Sequence, residues 1–98
     1  MNLKDAYREK LEAQLDEQRA RLELLKAKAK RAAADAKIMA YEEIADADAK
    51  LAALKSRLKE LGNASGDAWQ DMRAGIEKAW DDLTESCNKA ARRFNDER

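Results

Sequence analysis

The apolar positions in the first two-thirds of the chain fall on one helical face. Leu11, Leu22, Ala33 and Ile44 are spaced eleven apart, as are Leu25, Ala36, Ala47 and Leu58, and as are Ala29, Ala40 and Leu51. Eleven residues in three turns is ~3.67 per turn, the period of a nearly straight or slightly right-handed rod. Leu15, Leu54 and Leu61 thicken the two ends of this stripe. From Leu3 to Leu61 there is no Gly and no Pro, and the strongest helix formers dominate. The pattern predicts one helix over 3–61, about 88 Å long at ~1.5 Å per residue.

The pattern breaks at Gly62-Asn63-Ala64-Ser65-Gly66. Gly62 suits a left-handed C-terminal cap, Ser65 an N-cap, and Asp67 the positive end of the next helix dipole. A second helix is predicted over 67–95. Its stripe of Trp69, Met72, Ile76, Trp80, Leu83, Cys87, Ala91 and Phe94 advances in steps of three and four, while Asp71, Lys78, Asp82, Glu85 and Lys89 occupy the other face. Gly75, beside the stripe, is expected to let a Trp ring approach. So short a loop returns the chain antiparallel. The expected fold is all-α: one helical domain, 1–98, with helix 3–61, loop 62–66 and helix 67–95 folded back as a hairpin within an oligomeric coiled coil or helix bundle.

Oligomerisation follows from length. The second helix spans about 44 Å at ~1.5 Å per residue, so it covers the long helix only from Leu61 to about Lys37. The stripe from Leu11 to Ala33 is left for a partner. Charge selects the partner's direction. Lys26, Lys28, Lys30, Arg31 and Lys37 face only Asp35 in opposition, and Glu42, Glu43, Asp46 and Asp48 follow. An antiparallel pair centred near residues 36 and 37 sets these blocks against each other, with Leu22 opposite Leu51, Leu15 opposite Leu58 and Ala33 opposite Ala40. The competing reading is a solvated face with local pairs at four-residue spacing. The expected product is a rod of two three-helix bundles. Each contains one chain's C-terminal half and second helix with the other chain's N-terminal half, and Phe94 lies near the two-fold axis. The expected packing residues are Leu11, Leu15, Leu22, Leu25, Ala33, Ala36, Ala40, Ile44, Leu51, Leu54, Leu58, Trp69, Met72, Ile76, Trp80, Leu83, Cys87 and Phe94, with Trp80 and Leu83 as anchors.

Composition narrows the chemistry. Charged residues make up 41% of the chain, but the 20 basic and 20 acidic side chains cancel, which argues against a nucleic-acid partner. There is no His, hence neither the commonest general base nor the commonest metal ligand. The N-terminus has no apolar signal segment and no run is long enough to span a bilayer, so a cytoplasmic location is expected. The single cysteine, Cys87, permits no internal disulfide and sits on the apolar stripe, where a thiol behaves as a small hydrophobe. A redox or intersubunit role is the alternative. Asp81-Asp82 and Glu42-Glu43 point in different directions on a helix and form no dyad. Gly62 and Gly66 do not fit a phosphate loop. No catalytic, cofactor-binding or metal residue is expected, and the chain does not read as an enzyme.

The stretch ASGDAWQDMRAGIEKAWDDL, with its blocks Ala64 to Trp69 and Gly75 to Trp80, follows a charged Ala-rich helix containing KAKAKRAAADAK. Together they resemble a family of small bacterial coiled-coil stress-response proteins. That resemblance implies a cytoplasmic protein with a stress role and brings no catalytic residues. The leading expectation is a self-associating coiled-coil protein with a structural, scaffold or stress-response role, whose partner is itself. Two alternatives share the eleven-residue repeat: an amphipathic lipid or membrane-surface binder, and a protectant like the late-embryogenesis-abundant proteins.

Overall fold

A computed structural model describes residues 2–95. Its regular structure is three helices: α1 (Leu3–Lys30), α2 (Ala34–Asn63) and α3 (Ala68–Asn95). The single helix expected over 3–61 is therefore interrupted at 31–33. Here Arg31 and Ala32 donate from their backbone N–H groups to the Lys28 and Ala29 carbonyls, each at 3.1 Å, in a tightened last turn. Helix α2 begins as the Lys37 N–H reaches the Ala33 carbonyl at 2.7 Å.

The break has an energetic reason that local propensity does not contain. An isolated rod leaves Leu11, Leu15, Leu22 and Leu25 in water, whereas all four are buried here. Burying a Leu side chain is worth about 1.5–3 kcal/mol, roughly 6–12 kcal/mol for the four. Against this, Ala33 offers no side-chain cap, a deficit of about 1 kcal/mol, and a few helix hydrogen bonds are lost at about 1 kcal/mol net each. For a single chain, folding back wins. The charges agree with the helix dipoles on either side: Lys28 and Lys30 lie in the last turn of α1 and Asp35 in the first turn of α2.

The three helices form an up-down-up bundle of 52 × 19 × 18 Å. At one end, Lys4 Nζ donates to the Ala64 carbonyl at 2.7 Å and the Gly62 carbonyl at 3.4 Å. Near the other, Lys26 Nζ meets Asp48 Oδ2 at 3.0 Å, so α1 runs antiparallel to α2. The midpoint of 26 and 48 is residue 37, the centre expected for pairing between two chains; the structure makes that pairing within one. Helix α3 runs antiparallel to α2, with Ser86 on Asp46 and Arg93 on Glu43. It runs parallel to α1, where the Tyr7 and Trp69 rings meet at 6.0 Å between centroids.

Helix ends differ from expectation in detail. Asn2 Oδ1 accepts from the Asp5 N–H at 2.8 Å and caps α1. Gly62 is not a left-handed cap: α2 continues through Asn63, and Gly66 is the glycine with positive φ, at 58°. The cation that suits the carbonyl end of α2 is Lys4, from the far end of the chain segment. Helix α3 starts one residue later than expected, at Ala68, whose N–H donates to the Ser65 carbonyl at 3.2 Å. Gly75 approaches no Trp ring; a Cβ there would meet the Arg57 guanidinium at 3.4 Å.

Candidate functional site

The apolar seam runs the length of the bundle. Leu11, Leu15, Leu22, Leu25, Ala40, Ile44, Leu54, Leu58, Trp69, Ile76, Leu83 and Cys87 are buried in one cluster, joined by Ala29, Ala47, Leu61 and Ala90. Leu51, Met72, Trp80 and Phe94 are half-buried against it. Ala36 is half-buried, and Ala33 is exposed in the linker. The departure at Ala33 follows from the break, which takes it off the helical face. Of the two expected anchors, Leu83 is fully enclosed, while Trp80 lies on the rim of the seam. Trp69 is the more deeply buried indole, at 9% exposure.

Polar straps hold α3 to α2. Ser86, itself buried, receives a hydrogen bond from Lys50 Nζ at 2.6 Å and donates to Asp46 Oδ2 at 3.1 Å, and Lys50 and Asp46 are also ion-paired at 3.2 Å. The Lys50 contact, then that of Ser86, holds the Asp46 carboxyl below the usual aspartate range. Two turns farther along α3, Arg93 forms a two-point bond to Glu43, Nε to Oε2 at 3.0 Å and Nη2 to Oε1 at 2.5 Å. This hydrogen bonding is the main reason the Glu43 carboxyl sits below its ordinary value. Of the four acidic residues expected to face a basic block, only Asp48 meets one of its members, Lys26; Glu43 and Asp46 face α3 instead.

A Ser beside a Lys raises the question of nucleophilic chemistry. The geometry gives a strap instead. The Ser86 proton points to Asp46, and Lys50 is paired to the same carboxylate. Ser86 lies mid-helix in α3, where the backbone N–H groups are used by the helix and cannot stabilise an oxyanion. Cys87 is fully buried, and burial pushes its thiol pKa up, away from the reactive thiolate. Among the described residues no group of three or more His, Cys, Asp or Glu side chains is placed to hold a metal ion. Sequence reasoning did not single out Ser86, Lys50, Asp46, Glu43 and Arg93 as one cluster. The four-residue spacing of Asp46 and Lys50 was a visible signal, as was the place of Ser86 beside Cys87 on the stripe.

Two surface features remain. A groove of about 830 Å³ lies between α1 and α2 on the side away from α3, bordered by charges of both signs that include Arg8, Glu12, Asp16, Arg19, Lys55 and Lys59. The second is a set of exposed bulky apolar side chains, of which Leu3 lies at the pole opposite the linker. Leu24 is 57% exposed, Ile38 60%, Met39 50% and Tyr41 39%, and all four lie within a few turns of the 31–33 linker. No helix among the described residues is long and apolar enough to cross a membrane. Comparison with protein-family models, curated proteins and solved structures finds no match, so the chain's own residues carry the functional reading.

Proposed function

We propose that this chain is a non-enzymatic, self-associating helical protein with a structural or scaffold role of the stress-response kind, and that its partner is a second copy of itself. The observation that carries the reading is the exposure of Leu24, Ile38, Met39 and Tyr41 within about two turns of the linker, on a bundle whose outer faces are, apart from Leu3, otherwise largely charged or small. Bulky apolar side chains concentrated at one pole are candidates for burial against a second molecule. Several charged groups serve the fold: Lys4 on the end of α2, Lys50 and Asp46 on Ser86, and Glu43 on Arg93.

The lipid-surface alternative draws little from α3. Its Trp69, Ile76 and Leu83 are buried against the other helices, and Trp80 is half-buried. Mass measured by light scattering from low micromolar to near-millimolar concentration tests the reading. The mass should rise to that of a discrete oligomer, and Ile38→Glu together with Tyr41→Glu should hold it at the monomer value. A constant monomer mass for the unmodified chain over that range would sink the proposal. The stress role is tested separately, by comparing survival of cells with and without the protein under osmotic, oxidative and heat challenge.

A further inference from the structure

We propose that residues 31–33 are a hinge, and that two copies of this chain open there and exchange α1 to form an antiparallel, domain-swapped dimer. The inference deepens the self-association reading and rests on it. Its first support is phase. The seam residues Leu22, Leu25 and Ala29 step by three and four, and Ala33, Ala36, Ala40 and Ile44 continue the same steps across the linker. A turn joining two separately placed helices has no need to keep that phase. A continuous helix needs it throughout, and in that form Ala33 returns to the stripe.

The linker itself is the second support. Arg31, Ala32 and Ala33 are all good helix formers, and none adopts a positive φ. Ala33 closes the gap without a side-chain cap for α2. The turn is therefore held by the packing of α1 on α2 and α3, not by its own residues. Straightening it satisfies the backbone groups that the break leaves without helical partners.

The third support is what exchange preserves. Every contact α1 makes can be remade with the partner's α2 and α3: Lys4 on the end of α2, Lys26 on Asp48, and Tyr7 on Trp69. Contacts between α2 and α3 stay within a chain. Exchange of an identical element between protomers leaves the local energetics of each bundle unchanged. The two bundles then meet at their linker ends, which places Leu24, Ile38, Met39 and Tyr41 of both copies along the middle of the rod. Because α1 must leave the seam before it can exchange, dimers should form slowly from folded monomer and readily on refolding at high concentration.

The test uses the full-length chain with Cys87→Ala, so that introduced thiols are the only ones. A Lys26→Cys chain and an Asp48→Cys chain are mixed, refolded together at high concentration and treated with a short bismaleimide. In a straightened chain these positions lie about 33 Å apart along the helix at ~1.5 Å per residue, so the link reports neighbours from different chains. The expected result is a dimer fraction with a cross-chain 26–48 link. An Arg57→Cys and Gly75→Cys mixture, which probes α2 against α3, should give no cross-chain link. Ala33→Pro suits the closed turn, where φ is −62°, but cannot sit within a continuous helix. With native helicity confirmed by circular dichroism, it should lower the dimer fraction at least tenfold. A dimer of unchanged mass without the 26–48 link overturns the exchange and leaves self-association standing, as does an Ala33→Pro chain that dimerises like the parent. Monomer alone under every condition overturns both.

Discussion

Leu83→Ala and Leu24→Ala make a matched pair, because residue type is constant and only burial changes. Leu83 is 0% exposed in the seam of α3 and Leu24 is 57% exposed on α1. Truncating a buried Leu removes its transfer free energy and leaves a cavity, with losses of about 2–5 kcal/mol. For a fully enclosed site we expect about 3 kcal/mol, a substantial share of the ~5–15 kcal/mol that holds a typical domain folded. In a bundle of this size each kcal/mol moves the midpoint by about 4–8 °C, so the loss corresponds to roughly 12–24 °C. Leu24→Ala should change stability by no more than about 0.5 kcal/mol. Urea unfolding followed by circular dichroism at low micromolar concentration, where the monomer dominates, reads both. The denaturant dependence should stay constant, because the surface exposed on unfolding hardly changes. Equal small effects at both sites would mean that α3 does not close the seam, and the packing described here would be wrong.

Removing the cation at the end of α2, by Lys4→Met, should cost about 0.5–1 kcal/mol and speed hydrogen exchange at the α2–α3 turn more than at the 31–33 linker; a uniform change along the chain would count against a local cap. Acid should weaken the bundle through Glu43 and Asp46, whose folded-state pKa values lie below the ordinary 4.5 and 3.8. Groups shifted that way stabilise the fold above those ordinary values, and the gain is lost as pH falls through them and on through the folded-state values. Glu43→Gln should therefore flatten the fall in unfolding free energy between pH 6 and pH 3, and an unchanged slope would exclude the Arg93 pair as its source. The Cys87 thiol should react with a thiol reagent at least a hundredfold more slowly in the native bundle than in urea, with labelling governed by opening of the seam; immediate native labelling would show that the site is accessible.

Much of the bundle was legible because its core obeys a simple period. Leu11, Leu15, Leu22, Leu25, Ile44, Leu54 and Leu58 all occur on the face that is buried. One charge contact of the antiparallel pairing expected between chains, Lys26 with Asp48, occurs within the single chain, while Glu43 and Asp46 face α3 instead. Whether that pairing lies within or between chains could not be read, because both arrangements bury the same face. The break at 31–33 carries neither Gly nor Pro, and the force that makes it is tertiary. Its faint local mark is the order of charge, with Lys28 and Lys30 before the gap and Asp35 after it, the polarity expected where one helix ends and another begins. Lys4 on Ala64 was beyond reach for another reason: the partners are 60 residues apart and nothing in either neighbourhood names the other. The strap through Ser86 depends on the rotation of α3 about its own axis, which a stripe of three-and-four steps defines only to within a residue or so.

An odd number of antiparallel helices has a mechanical consequence. The Asn2 end lies beside the turn that follows α2, and the Arg93 end lies beside the start of α2. The two ends of the described chain thus leave from opposite poles of a 52 Å rod. Tension applied between them runs along the helix axes and loads the interfaces in shear, so the seam resists along its whole length at once. Had the ends emerged from the same pole, the same tension would have peeled the bundle one turn at a time.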